Sequence, residues 1–70
     1  MTVVPAKELP SHHLWPGDRF RRDGRDWVAT YVAVQHDGPV TVRAHELVDG
    51  VMRDHPKEIV MPIGELVWVR

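Results

Sequence analysis

The chain has 70 residues, of which 43% are apolar and 27% are charged, and nine Lys and Arg against ten Asp and Glu leave a net charge of -1. This length and composition predict one small globular domain, and they exclude a disordered tail and a second core. Because there is no cysteine, disulfide scaffolds, zinc knuckles and thiol catalysis are excluded. The balanced charge also lacks the strongly basic face that a dedicated duplex-DNA binder carries.

The N-terminal segment, residues 1–13, is predicted to be an extended arm in front of a domain at 14–70. Its beginning, Met1–Pro10, lacks the basic start and the continuous apolar run of a signal peptide. The longest apolar run, Trp27–Val34, is far shorter than the roughly 20 residues that a membrane-spanning helix needs. We therefore expect a soluble cytoplasmic protein with no membrane partner. The arm is expected to pair with a sheet edge of its own domain or, in a homodimer, of a second copy.

Proline, glycine and Asp-Gly pairs interrupt the chain about every eight to twelve residues, a spacing typical of all-β domains. Helices of ordinary length do not fit between such breaks. The intervening segments favour β-branched and aromatic residues, which are enriched in strands. The sequence therefore predicts an all-β fold, a five-stranded antiparallel meander.

Asp23-Gly24 predicts the first hairpin, because a two-residue type I′ turn needs a positive φ at both positions and Asp-Gly tolerates it. The resulting register places Phe20 opposite Trp27 in the core. It places Arg21 opposite Asp26 on the other face, where opposite charges attract across the strands.

In the strand after this turn, the apolar residues move from one face of the strand to the other. Trp27 and Ala29 share one face, whereas Val32 and Val34 lie on the other if the alternation is regular. Either both faces of this strand are partly covered, or a β-bulge near Thr30-Tyr31 turns both pairs toward the core. We favour the bulge.

Asp49-Gly50 predicts the second hairpin, between a strand at Val40–Val48 and a return strand that reaches about Asp54. Pro56 cannot donate to a strand ladder, so it marks an edge or a kink. After it, we expect the fourth strand to resume at Glu58–Met61. Pro62-Ile63-Gly64-Glu65-Leu66 then predicts one tight 3₁₀ turn before the last strand, at residues 67–70.

This order of short strand, hairpin, long bent strand, hairpin, one-turn crossover and brief final strand resembles SH3-like small barrels. It also resembles a group of short actinobacterial and actinophage proteins. The similar residues are Val4-Pro5-Ala6-Lys7-Glu8-Leu9, Pro16-Gly17-Asp18-Arg19-Phe20, Asp23-Gly24, Trp27, Val32, Asp49-Gly50 and Val67-Trp68-Val69. The resemblance implies a five-stranded SH3-like small barrel with an N-terminal arm, but no activity, because these are turn and core positions. Here Ser11-His12-His13-Leu14-Trp15 is inserted after the first of these segments.

Four arginines surround the first turn, and Trp15, Phe20 and Trp27 lie near them in the sequence. Together they suggest a basic surface with stacking rings for a nucleic acid strand. Three aspartates lie among these arginines in the sequence: Asp18, Asp23 and Asp26. The interpretation that we favour is therefore a solvated hairpin with cross-strand ion pairs. The arginines are Arg19, Arg21, Arg22 and Arg25.

Five histidines are many for this length, but none has the spacing of a zinc site. His45 and Asp54 are expected to face each other across the second hairpin, which would make a weak pH sensor. The interpretation that we favour is that the histidines are exposed polar side chains on strand faces. Catalysis has little support, because the only serine, Ser11, lies on the arm and the carboxylates are spread over turns. We expect no catalytic residue, no metal site and no cofactor.

Tryptophans remain as candidate anchors, because such rings dominate interface energetics. Trp27 is predicted to be in the core, while Trp68 points outward between inward-facing Val67 and Val69. We therefore expect a small non-enzymatic module that binds another protein through Trp68, Trp15 and the four arginines. We expect this module to be of phage or mobile-element origin. Nucleic-acid binding by the arginine-rich hairpin and a structural role in a larger assembly are the alternatives.

Overall fold

The computed structural model describes residues 7–70. This part of the chain contains seven strands and one single-turn 3₁₀ helix, Ser11–His13, and it contains no α-helix. The strands are β1 Lys7–Pro10, β2 Arg19–Arg22, β3 Arg25–Val34, β4 Val40–Val48, β5 Val51–Met52, β6 Lys57–Met61 and β7 Leu66–Val69. The all-β prediction is confirmed. Within residues 7–70, no helix is long and apolar enough to cross a bilayer.

All strands join one antiparallel sheet in the order β1-β7-β2-β3-β4, and β5 and β6 both pair with the remaining edge of β4. The sheet is open, because no ladder among the described residues connects β6 back to β1 or β7. The prediction of five strands was wrong. Part of the arm forms β1, and the predicted fourth strand is divided into β5 and β6 by a break that contains Pro56, which cannot donate to a ladder.

Both Asp-Gly pairs form the predicted tight turns. Asp23 and Gly24 have φ angles of 54° and 73°, and Asp49 and Gly50 have 51° and 79°. Positive φ at both central residues is the signature of type I′ turns, whose twist matches that of the flanking strands. The first turn sets the predicted register, with Phe20 opposite Trp27.

The predicted bulge in β3 is confirmed, because the register with β4 shifts between Ala29 and Tyr31. Before the bulge, Trp27 and Ala29 point into the core; after it, Val32 packs against the same core. One sheet face, here named the core face, thus buries one continuous cluster. Its members are Leu14, Phe20, Trp27, Ala29, Val40, Val42, Ala44, Met61, Val67 and Val69.

The arm belongs to the sheet of its own chain from Lys7 onward. β1 runs antiparallel to β7, with Lys7 opposite Val69 and Pro10 opposite Leu66. The preceding residues, 1–6, lie outside the described part, and the domain boundary at residue 14 stays a prediction. Strand pairing within one chain explains how the arm is held without a second copy.

The connection between β6 and β7 differs from the predicted 3₁₀ turn. It is a β-turn in which the Glu65 amide donates to the Pro62 carbonyl at 3.2 Å and Gly64 has a φ of 86°, as in a type II turn. The 3₁₀ turn lies instead at Ser11–His13, directly after β1. These two turns are in contact, because the Ser11 amide donates to the Glu65 carbonyl at 2.7 Å.

Candidate functional site

An open, mostly apolar groove lies where the core face of the sheet is incompletely covered. Leu14 belongs to the core, and Leu9 and Val32 pack against it, yet all three also line the groove. The groove is therefore the solvent-exposed continuation of the core. We name it the aromatic groove; its lining is Leu9, His12, His13, Leu14, Trp15, Pro16, Tyr31, Val32 and Val34.

Trp15 is held at this groove by a compact turn. The Asp18 amide donates to the Trp15 carbonyl at 3.0 Å, and the Asp18 carboxylate accepts from the Trp15 amide at 2.8 Å. Pro16 and Gly17 occupy the central positions, and the φ of 95° at Gly17 fits a type II turn. Gly17 and Asp18 also exchange backbone hydrogen bonds with Ala29 of β3, at 2.7 and 2.9 Å. The turn is thus fixed to the sheet, while 73% of Trp15 stays exposed.

Tyr31 is the first paired residue after the register shift in β3, and it lies opposite Arg43, whereas Val32 lies opposite buried Val42. By alternation, the Tyr31 ring leaves the strand on the side opposite Val32. The ring is 59% exposed and borders the groove beside Val32 and Val34. Sequence reasoning located the bulge but missed Tyr31, although an aromatic residue at a bulge was the available signal.

The aromatic groove is mostly apolar. Its described lining contains no Asp, Glu, Lys or Arg, and its polar side chains are the Tyr31 phenol and the imidazoles of His12 and His13. These two imidazoles meet edge to face with ring centroids 4.4 Å apart. Such a surface gains binding free energy by removing apolar area from water, and its described lining has no carboxylate, ammonium or guanidinium group to pair with an ionic ligand.

Three of the four arginines predicted to bind a partner are paired with carboxylates. Arg21 contacts Asp26 at 3.7 Å, Arg25 contacts Glu46 at 3.8 Å, and Arg22 donates to Glu65. Only the pair of Arg21 and Asp26 joins the two strands of the hairpin, as the favoured interpretation expected; Glu46 lies on β4 and Glu65 in the turn before β7. Among residues 7–70, Arg19 has no carboxylate within 4 Å.

Trp68 points away from the core, as predicted, between buried Val67 and Val69, and 51% of it is exposed. Its cross-strand neighbours are Glu8 on β1 and Arg21 on β2. Trp68 does not line the aromatic groove. The predicted partner-binding residues therefore form two separate surfaces, with Trp15 on one and Trp68 on the other.

The histidines do not assemble a site. His45 does not form the predicted pair with Asp54; its Nδ1 lies 2.6 Å from the Arg53 carbonyl oxygen, because β5 ends at Met52 and the chain leaves the hairpin early. In the part of the chain that the structure describes, no group of three or more His, Asp or Glu residues is arranged to hold a metal ion.

Comparison with known proteins yields no match: no family model fits the sequence, and neither a curated protein nor a solved structure matches significantly. The resemblance to actinobacterial and actinophage proteins therefore stays a prediction. Inference about function depends on the two surfaces alone.

Proposed function

We propose that the protein is a small non-enzymatic interaction module that binds an apolar, uncharged segment of another protein in the aromatic groove. The observation that carries this proposal is the exposure of Trp15 and Tyr31 beside a groove that continues the core. Large exposed rings next to apolar surface are typical of binding sites, because they bury much area with few rotatable bonds.

We also propose that the sheet follows the plan of an SH3-like small barrel. Support comes from the order of two type I′ hairpins around a long bulged strand, a one-turn connection after Pro62 and a short last strand. In this plan the aromatic groove lies at the open side of the curved sheet, which leaves room for an extended peptide.

The chemistry of the groove specifies its occupant. A charged side chain placed there would lose hydration without meeting a described ionic partner, which is costly. An apolar side chain would continue the packing of Leu9, Leu14 and Val32. The proposed occupant is therefore an uncharged segment that inserts apolar side chains between Trp15 and Tyr31.

Selection from a random peptide library displayed on phage tests this function. We expect the enriched peptides to be apolar and uncharged, and to bind Trp15→Ser and Tyr31→Ser at least about tenfold more weakly, since each change removes a large buried ring from the complex. The matched control is Ile63→Ser, which removes another exposed apolar side chain, 54% exposed, from outside the groove and should leave binding unchanged.

Two results contradict the proposal. One is a library that yields no peptide above background at any stringency. The other is a set of peptides that bind wild type, Trp15→Ser and Tyr31→Ser with equal affinity. A purely structural role in a larger assembly predicts the first of these results.

A further inference from the structure

Arg19 and Arg70 lie directly opposite each other at one end of β2 and β7. The ladder between these strands pairs Phe20 with Val69, and the Arg70 amide donates to the Arg19 carbonyl at 2.9 Å. Phe20 and Val69 point into the core, so alternation along each strand directs both arginines to the opposite face, here named the outer face. We name these two residues the outer arginine pair.

In the described part of the chain, the outer arginine pair forms no ion pair within 4 Å. Four other arginines, Arg21, Arg22, Arg25 and Arg43, each contact a carboxylate, but neither Arg19 nor Arg70 has one within 4 Å among residues 7–70. The six residues before Lys7 contain no Asp or Glu. Like charges directly opposite on two strands are destabilising, so an anion supplied from outside would relieve this repulsion.

Apolar surface adjoins the outer arginine pair. Trp68 precedes Arg70 by two residues and therefore shares the outer face with it, and Leu66 continues the row with 61% of its surface exposed. On the other side, Arg19 and Arg70 line a small cleft with Phe20, Asp26, Leu47 and Gly50. Asp26 is the carboxylate of this cleft, and it contacts Arg21 at 3.7 Å.

We propose that the outer face of β2 and β7 binds an acidic segment of a partner protein. Carboxylates of that segment pair with Arg19 and Arg70, since planar guanidinium groups accept carboxylates in a bidentate geometry. An apolar side chain next to these carboxylates packs on Trp68 and Leu66. This chemistry, two cations beside a half-exposed indole, fits an extended segment whose acidic and apolar side chains are two residues apart and therefore share one face.

The surface fits a peptide better than a nucleic acid strand. A nucleic acid needs a continuous positive groove along its backbone, whereas here two unpaired guanidinium groups are flanked by Glu8, opposite Trp68, and by Asp26 in the cleft. The net charge of -1 adds no long-range attraction for phosphates.

This inference is independent of the aromatic groove, because the described linings of the two surfaces share no residue. A chain with both surfaces in use would connect an apolar segment and an acidic segment, from one partner or from two. Variants at Trp15 test the first surface, and variants at Arg19 test the second.

Titration of the ¹⁵N-labelled protein with acetyl-Leu-Ser-Asp-Ser-Asp-amide, which places Leu and both Asp on one face when extended, followed by amide and indole NMR signals, tests the proposal. We expect saturable shifts at Arg19, Arg70 and the Trp68 indole, and affinity at least about fivefold weaker for Arg19→Gln, since a charge-assisted hydrogen bond is lost. Arg53→Gln is the matched control: it makes the same charge change at an arginine outside this cleft, and it should bind like wild type. High salt should weaken binding.

Four outcomes would overturn the proposal. The uncharged peptide acetyl-Leu-Ser-Asn-Ser-Asn-amide binds as tightly as the acidic one, or Arg19→Gln and Arg53→Gln weaken binding equally. Inorganic phosphate or a short oligothymidylate binds the same residues more tightly than the acidic peptide. Sedimentation reveals a dimer that Trp68→Gln dissociates, which would make a second copy the occupant of this face.

Discussion

The hydroxyl of Ser11 donates a hydrogen bond of 2.7 Å to the carbonyl oxygen of Pro62, 51 positions further along the chain. Ser11 is fully buried, and its amide also donates to the carbonyl of Glu65. One small side chain therefore fastens the end of β1 to the turn between β6 and β7. This contact gives the only serine in the chain a structural role that its place on a predicted arm did not indicate.

Replacing Ser11 by alanine should lower the free energy of unfolding by about 1 kcal/mol, because a fully buried side chain loses its hydrogen bond to the Pro62 carbonyl, which keeps the Glu65 amide as its remaining donor. The midpoint of urea denaturation measures the change. Thr30→Ala is the control: its hydroxyl donates to the Arg43 carbonyl at an exposed position, where water replaces the lost bond. Equal losses for both variants would contradict the role assigned to Ser11.

Phe20→Ala should cost about 3–5 kcal/mol, since it removes a ring from the centre of the core and leaves a cavity. A core of this size supplies only about 3–5 kcal/mol of net stability, so the variant should be largely unfolded by circular dichroism at room temperature. Trp15→Ala removes an equally large ring from an exposed site and should change stability by less than about 0.5 kcal/mol. If Trp15→Ala proves as destabilising as Phe20→Ala, Trp15 is a packing residue and the proposed groove is lost.

Gly50→Val should be more destabilising than Gly50→Asn by about 1–2 kcal/mol. The φ of 79° at this position is strained for a β-branched residue, whereas asparagine tolerates the left-handed region. No heavy atom lies within 4 Å of a Cβ placed on Gly50, so the difference reports backbone strain and not a clash. Thermal unfolding of both variants measures it; similar melting temperatures would argue against a type I′ turn.

Glu65→Gln should lower stability by about 1 kcal/mol and should do so less in high salt, because it breaks the partly buried ion pair with Arg22. Glu58→Gln breaks the exposed ion pair with Arg43, at 3.5 Å, and should cost less than about 0.5 kcal/mol. Urea denaturation at low and high salt distinguishes the two. A Glu65→Gln variant as stable as wild type at low salt would show that Arg22 and Glu65 do not join the hairpin to the turn.

The features that were predicted correctly from the sequence have local causes. Asp23-Gly24 and Asp49-Gly50 specify their turns through the φ angles that these residues tolerate, and each turn then sets its own register. The bulge before Tyr31 was predicted because the apolar residues of one strand change from odd to even positions. Such signals span only a few residues, so they can be recognised in the sequence before the rest of the fold is known.

The features that were missed depend on contacts between distant parts of the chain. The arm was expected to pair with a sheet edge, but the edge was not identified. It is β7, which places Leu9 opposite Val67, and no local pattern indicates that partner. The opposition of Arg19 and Arg70 has the same origin, because it exists only once β2 and β7 are adjacent. Trp15 and Trp68 were both identified as exposed candidates, but their assignment to two different surfaces required the strand order.

Three prolines lie at the ends of two edge strands of this open sheet. Pro10 ends β1, and Pro56 and Pro62 flank β6, each of these strands being paired on one side only within the described residues. Residues without an N–H interrupt any ladder that a further strand would need to add. Recognition by this chain is therefore expected to depend on side chains at its surfaces. In concentrated solution, β1 and β6 should resist the edge-to-edge addition of strands that builds fibrils.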